Sequence, residues 1–285
     1  MFVFFCRDLK YPQTTCSCSE MFVSREYGII MNAKVKKGGI NMEAYIDGQI
    51  EEAFVVGDIH GMKEPLDELL THWQPDQQQL IFVGDYVDRG PQSKNTLLKV
   101  RQLQTDHGAI CLRGNHEEMF LAFLQNPISD WTIYERNGGL TTVAQLLGES
   151  TITISQYSRI KLARLVNEAY PWLENWLSEL PYFVEFGRFI VVHAGLNLHL
   201  EDWRQTSKQE MTWIRQDFHE APNQTGKSII FGHTPVMSLH KDRSAFDIWK
   251  QDEKFGIDGG AVYGGSLLAL KVTRQRVKEM YQVRS

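Results

Sequence analysis

Five short segments of this sequence carry residue types that bind cations and move protons: Gly57-Asp58-Ile59-His60-Gly61, Gly84-Asp85-Tyr86-Val87-Asp88-Arg89-Gly90, Gly114-Asn115-His116-Glu117, His193-Ala194-Gly195 and Gly232-His233-Thr234. Two Asp, an Asn and three or four His delivered in this way make the ligand set of a two-metal hydrolase. Carboxylate, amide and imidazole donors suit Mn²⁺, Fe or Zn²⁺ better than a soft thiolate site would.

What precedes each segment says how the donors are held. Ala53 to Val56, Leu80 to Val83, Ala109 to Leu112, Phe189 to Val192 and Ser228 to Phe231 are short apolar runs, as strands buried on both faces should be. The polar residues therefore fall at the carboxyl ends of strands, where ligands of open α/β sheets gather. Lys63 to Trp73 and Ser93 to Thr105 carry apolar residues at helical spacing, predicting β-α-β-α-β with parallel strands. Residues 118–180 read as a mostly helical insert, with Tyr170, Leu173, Trp176 and Leu177 as a packing stripe. Ala261 to Val272 and Gln275 to Val283 alternate as two antiparallel strands.

Composition narrows the function class. A chain of 285 residues with 42% hydrophobic content buries one large core, or a core with a smaller cap. The net charge of −5 argues against a nucleic-acid polymer as partner, which would call for clustered Lys and Arg. No apolar stretch approaches the roughly 20 residues that span a bilayer, and no secretory signal is present, so a cytoplasmic enzyme is expected.

The start of the chain differs from the rest. Cys6, Cys16 and Cys18 lie there without the partners of a zinc knuckle and read as incidental thiols. Lys36-Lys37-Gly38-Gly39 before Met42 is encoded by a purine-rich tract that resembles a bacterial ribosome-binding site. Residues 1–41 are accordingly expected to be a disordered extension or a leader read into the chain, and 42–285 a single domain.

In order, GDIHG, GDYVDRG, GNHE, HAG and GHT resemble the motifs of the calcineurin-like metallophosphoesterases, and GDYVDRG with GNHE resembles their phosphoprotein phosphatase branch, in particular the compact bacterial and phage serine/threonine protein phosphatases. The resemblance covers about residues 53–272. It implies an α/β (α+β) fold in which two mixed β-sheets are sandwiched between helices, with two divalent cations at one edge, Mn²⁺ first and Fe or Zn²⁺ as alternatives.

Carried over residue by residue, the resemblance makes Asp58 and His60 ligands of the first cation, Asp85 the bridging carboxylate, and Asn115, His193 and His233 ligands of the second. A hydroxide shared by the cations would attack phosphorus in line. His116 matches the general acid for the departing alkoxide, and Asp88 the carboxylate that keeps it protonated. Arg89 and Arg113 match guanidinium groups that grip phosphate, with Arg215 in Trp213-Ile214-Arg215 as a looser third match.

Other residues have ordinary readings. His72, His107, His199, His219 and His240 lack a motif context and read as hydrogen-bonded core histidines. Arg136-Asn137-Gly138-Gly139 either lines the cleft or ends a helix, and Asp258 and Tyr263 approach the site from the final sheet or simply flank glycine turns. The expected substrate is a phosphoprotein or small phosphate compound. Hydrolysis of diadenosine tetraphosphate is the alternative, because bacterial enzymes of that activity resemble the chain through the same metal motifs. A catalytically silent scaffold would have no need of the acid, its carboxylate and the arginines.

Overall fold

A computed structural model of the chain describes residues 34–36, 43–46 and 48–285, the first three by backbone pairing alone. Apart from Lys34–Lys36, the expected extension of residues 1–41 lies outside the described residues.

Among the described residues twelve strands form two mixed sheets: β1 (Lys34–Lys36), β2 (Glu43–Tyr45), β3 (Glu52–Val56), β4 (Gln78–Phe82), β5 (Ile110–Cys111), β6 (Phe183–Phe186), β7 (Phe189–Val192), β8 (Ser228–Phe231), β9 (Trp249–Gln251), β10 (Lys254–Gly256), β11 (Ser266–Thr273) and β12 (Val277–Arg284). One sheet has the order β12-β11-β3-β4-β5, with β3, β4 and β5 parallel. The other runs β1-β2-β6-β7-β8-β10-β9, with β7, β8 and β10 parallel. The helix Lys63–Leu70 crosses from β3 to β4, and the helix Ser93–His107 crosses from β4 to β5.

Alternation along the strands assigns the layers. Ala53, Val55, Ile81, Ile110, Leu268 and Leu270 join Val184, Ile190 and Ile230 in the apolar layer between the sheets. Their neighbours Phe54, Val56, Leu80, Phe82 and Cys111 face the helices, where they meet Leu66, Leu69, Leu97 and Val100. Each fully buried side chain of this kind contributes roughly 1.5–3 kcal/mol.

The segment between β5 and β6 is helical: Asn115–Gln125, Trp131–Arg136, Gly139–Leu147, Thr151–Ser155, Arg159–Ala169 and Leu173–Glu179. Serines start two of these helices, Ser150 accepting from the Thr153 N–H and Ser158 from that of Lys161. Phe120, Phe123, Val143, Leu162 and Leu173 of this segment share one core with Phe54 and Phe82. The aromatic stripe packs as expected: Leu173 and Leu177 are buried, and the Tyr170 hydroxyl donates to the Leu146 carbonyl at 2.9 Å.

One local expectation changes. Ala261–Tyr263 is a short 3-10 turn and β11 begins only at Ser266, because Gly260 (φ 64°) and Gly264 (φ 80°) turn the chain on either side. The β9–β10 hairpin, β2 and β6 were not anticipated. β6 begins at Phe183, shortly after the helix Leu173–Glu179, and the three-residue strands β9 and β10 carry too few residues to show a period. Among the described residues no helix is long and apolar enough to cross a membrane.

Candidate metal centre

The five loops leave the carboxyl ends of β3, β4 and β5 in one sheet and of β7 and β8 in the other, so both sheets feed one edge. The turns there are tight. His60, Asp85, Asp88, Arg89 and His233 all have φ between 46° and 71°, a region that side-chain-bearing residues rarely occupy. Glycine permits the closest approach: a Cβ on Gly232 would lie 1.9 Å from Asp58 Oδ1, and one on Gly114 would lie 2.2 Å from Asp85 Oδ1.

Asp85 lies at the middle of the arrangement. Its Oδ2 is 3.4 Å from His60 Nε2, and its Oδ1 is 3.5 Å from His193 Nε2. Donor atoms accordingly fall into two buried triads that share it, His60–Asp85–His116 and Asp85–His193–His233, each within 4.8 Å. Asn115 Oδ1 joins the second, 3.0 Å from His193 Nε2 and 2.9 Å from His233 Nδ1. Asp58 lies outside both triads. Its Oδ2 accepts from the His233 N–H at 2.9 Å, and its Oδ1 is buried without a hydrogen-bond partner, as is His233 Nε2.

These groups fit cations. A backbone carbonyl only accepts, so the Val87 oxygen 2.8 Å from His60 Nδ1 and the Val83 oxygen 3.0 Å from His193 Nδ1 place a proton on each Nδ1, which leaves each Nε2 unprotonated. Burial pushes His60 down to about 3, with neighbouring His116 adding to the shift, and it also pushes His193 and His233 below the ordinary imidazole value. Neutral imidazole is the form that ligates. Burial raises Asp85, but His193, His116 and His60 outweigh it and hold the carboxylate ionised.

His116 goes the other way. Burial lowers it, yet Asp85 and the hydrogen bond to Asp88 leave it above the ordinary imidazole range. Its Nδ1 lies 2.6 Å from Asp88 Oδ2, both side chains being fully buried, and its Nε2 lies 4.0 Å from Asp85 Oδ2 with no hydrogen-bond partner of its own.

The arginines separate. Arg89 Nη1 donates to His60 Nε2 at 2.7 Å. Arg215 is exposed and donates to Thr234 Oγ1, beside His233, at 3.2 Å. Arg113 turns away, giving Nη1 to the Tyr182 hydroxyl at 2.9 Å and Nη2 to the Leu177 carbonyl at 2.6 Å. Gly138 packs on Arg89, since a Cβ there would lie 2.7 Å from the Arg89 nitrogen, so the Arg136–Gly139 turn both borders the site and separates two helices. Asp258 is buried within electrostatic reach of Asp58 and Asp85, and Tyr263 lies under Arg89, 5.8 Å from ring centroid to guanidinium carbon.

His72, His107, His199, His219 and His240 enter neither triad; of these expected core histidines only His219 is buried, and His72, His107 and His199 lie exposed. Two buried residues gained no role from the sequence. Glu117, within GNHE, accepts the backbone N–H groups of Asp85, Tyr86 and Gly114 at 2.8, 2.9 and 3.0 Å and so fixes two of the loops together. Its place in a metal motif was the available signal. Thr142, bonded to Asp88, has no motif around it.

The chain belongs to the calcineurin-like phosphoesterase family, whose sequence model matches residues 53–259. It is thus a metallophosphoesterase, a hydrolase of phosphoric esters from a family that uses a dinuclear metal centre. It is 28% identical to the asymmetrical bis(5'-nucleosyl)-tetraphosphatase PrpE of Oceanobacillus iheyensis, across 76% of this chain and 87% of that one. It is 26% identical to serine/threonine-protein phosphatase 1 of Salmonella typhimurium, across 77% and 91%. A solved structure, provisionally assigned as a diadenosine tetraphosphatase, shares the fold with TM-score 0.59 and 21% identity, covering 86% of this chain and 98% of that one.

Proposed function

We propose that the protein hydrolyses phosphate monoesters, serine and threonine phosphates foremost, with His116 giving a proton to the departing alkoxide. The observation that carries this reading is the division among four clustered imidazoles: His60, His193 and His233 are driven neutral, while His116 alone is driven toward its protonated form. An alkoxide is a poor leaving group, and a positioned acid is what its ester needs.

Asp58, His60, Asp85, Asn115, His193 and His233 would hold two divalent cations, Mn²⁺ first, with Asp85 facing both groups of ligands. When bound, such a pair supplies charge neutralisation at the phosphoryl oxygens and an activated water. Asp88 orients the His116 ring and favours its charged form. Arg89 and Arg215 flank opposite ends of the cluster and take the phosphate oxygens. Arg113 is given a bracing role between the helical segment and Tyr182.

A second reading is hydrolysis of a dinucleoside tetraphosphate, and the relatives' names favour it at least as strongly. Two exposed aromatic side chains add to it: Trp213, 38% exposed with its ring 5.9 Å from that of His233, and Tyr263, 57% exposed beside Arg89. A nucleobase stacked on such a ring gains roughly 1–3 kcal/mol.

Protein loaded with Mn²⁺ and offered phosphoserine peptide, phosphotyrosine peptide and diadenosine tetraphosphate at equal concentration decides between them. The monoester reading expects phosphoserine to be turned over at least about tenfold faster than the dinucleotide, ~1.4 kcal/mol of discrimination. The reverse order transfers the assignment to the second reading.

A further inference from the structure

The Asp88–His116 pair does not end at Asp88. Thr142, on the helix Gly139–Leu147, donates its hydroxyl to Asp88 Oδ1 at 2.5 Å, while the same hydroxyl accepts the Asp88 backbone N–H at 2.9 Å. Thr142, Asp88 and His116 are all fully buried. One hydroxyl therefore fixes both the main chain and the carboxylate of a residue held at φ 71°, a conformation with little stability of its own.

The helix grips this loop elsewhere too. Gln145 Nε2 donates to the Gly90 carbonyl at 3.1 Å, and Gly138, just before the helix, seats against the Arg89 backbone. Asp88, Arg89 and Gly90 are thus each touched from one side by consecutive turns of the inserted segment.

We infer that Thr142 is a positioning residue for the acid: the inserted helix sets the orientation of Asp88, and through it the donor geometry of His116. The inference rests on the reading of His116 as the proton donor. Thr142 is fully buried, and its hydroxyl bonds Asp88 rather than a cation ligand. Its effect belongs to proton delivery, so it grows with the basicity of the leaving group.

The test compares p-nitrophenyl phosphate, whose leaving group needs no acid, with phenyl phosphate, whose leaving group does, on Mn²⁺-loaded wild type, Thr142→Val, Thr142→Ser and His116→Asn. Thr142→Val is expected to lower kcat for phenyl phosphate by at least about tenfold and for p-nitrophenyl phosphate by less than about threefold, with KM and Mn²⁺ affinity by calorimetry unchanged. Thr142→Ser, which keeps the hydroxyl, restores both. Equal loss on the two esters, or no rescue by serine, overturns the inference. Should Thr142→Val fail to fold, Thr142→Cys, of similar size with a weaker donor, carries the same comparison. His116→Asn separates the two failures. If it shows the leaving-group dependence and Thr142→Val does not, only the role of Thr142 falls. If it shows none, the acid assignment falls first.

Discussion

His60 and His116 meet edge to face with ring centroids 4.6 Å apart, yet their surroundings shift their basicity in opposite directions. His60 keeps its proton on Nδ1 and holds Nε2 3.4 Å from Asp85, whereas His116 is bound at Nδ1 by a buried carboxylate. The same residue type, one ring away, is fitted for ligation in one case and for proton donation in the other.

A pH profile follows. A raised imidazole pKa keeps the proton on His116 below that value and loses it only as pH rises through it. The alkaline limb of kcat for a poor-leaving-group ester should therefore lie above the ordinary imidazole value of about 6.5. Asp88→Asn removes the anion and should move that limb toward acid while lowering kcat. A limb unmoved by Asp88→Asn would detach it from His116.

Divalent cations should stabilise the fold. Asp58 is pushed above the usual carboxylate range by burial and by Asp258 and Asp85, so ionising it in the folded protein costs free energy that a bound cation relieves. At about 100 times the dissociation constant, Mn²⁺ contributes about 2.7 kcal/mol, which for a chain of this size raises Tm by roughly 5–10 °C over the chelated protein. Differential scanning calorimetry with and without EDTA measures the difference.

Gly232→Ala tests how closely the loops approach. The new methyl would sit 1.9 Å from Asp58 Oδ1, so the carboxylate has to move away from the site. Mn²⁺ affinity measured by calorimetry is expected to fall by at least about tenfold, ~1.4 kcal/mol.

The two arginines that both lie beside metal motifs should separate experimentally. Arg89→Ala, which removes a guanidinium from beside His60, is expected to raise KM for phosphate esters with little change in Tm. Arg113→Ala leaves the Leu177 carbonyl and Tyr182 hydroxyl without their donor and should cost stability of about 1–3 kcal/mol in denaturant melts.

The metal edge was legible because each donor follows a buried strand and sits among glycines within a few residues, so local sequence held the whole pattern. Asp58, His60, Asp85, Asn115, His193 and His233 share that pattern, and the structure brings them together at one edge. The direction of Arg113 was not legible: adjacency to Asn115 fixes where its backbone lies, whereas its partners Leu177 and Tyr182 are 64 and 69 residues away. Thr142 stayed hidden for the same reason, since it reaches Asp88 across 54 residues from an amphipathic helix with no motif. The 3-10 turn at Ala261–Tyr263 shows the remaining weakness: its alternation resembles a strand, and positive φ at the flanking glycines decided otherwise.

Asp85 faces two groups of candidate ligands at once. Protein stripped of metal, dialysed against Mn²⁺ and analysed for metal content measures this directly, with Asp85→Asn alongside. Two ions per chain in the wild type, falling to one or none in Asp85→Asn with the fold retained, is the expected result. A single ion in the wild type, or two retained without the Asp85 carboxylate, would contradict it.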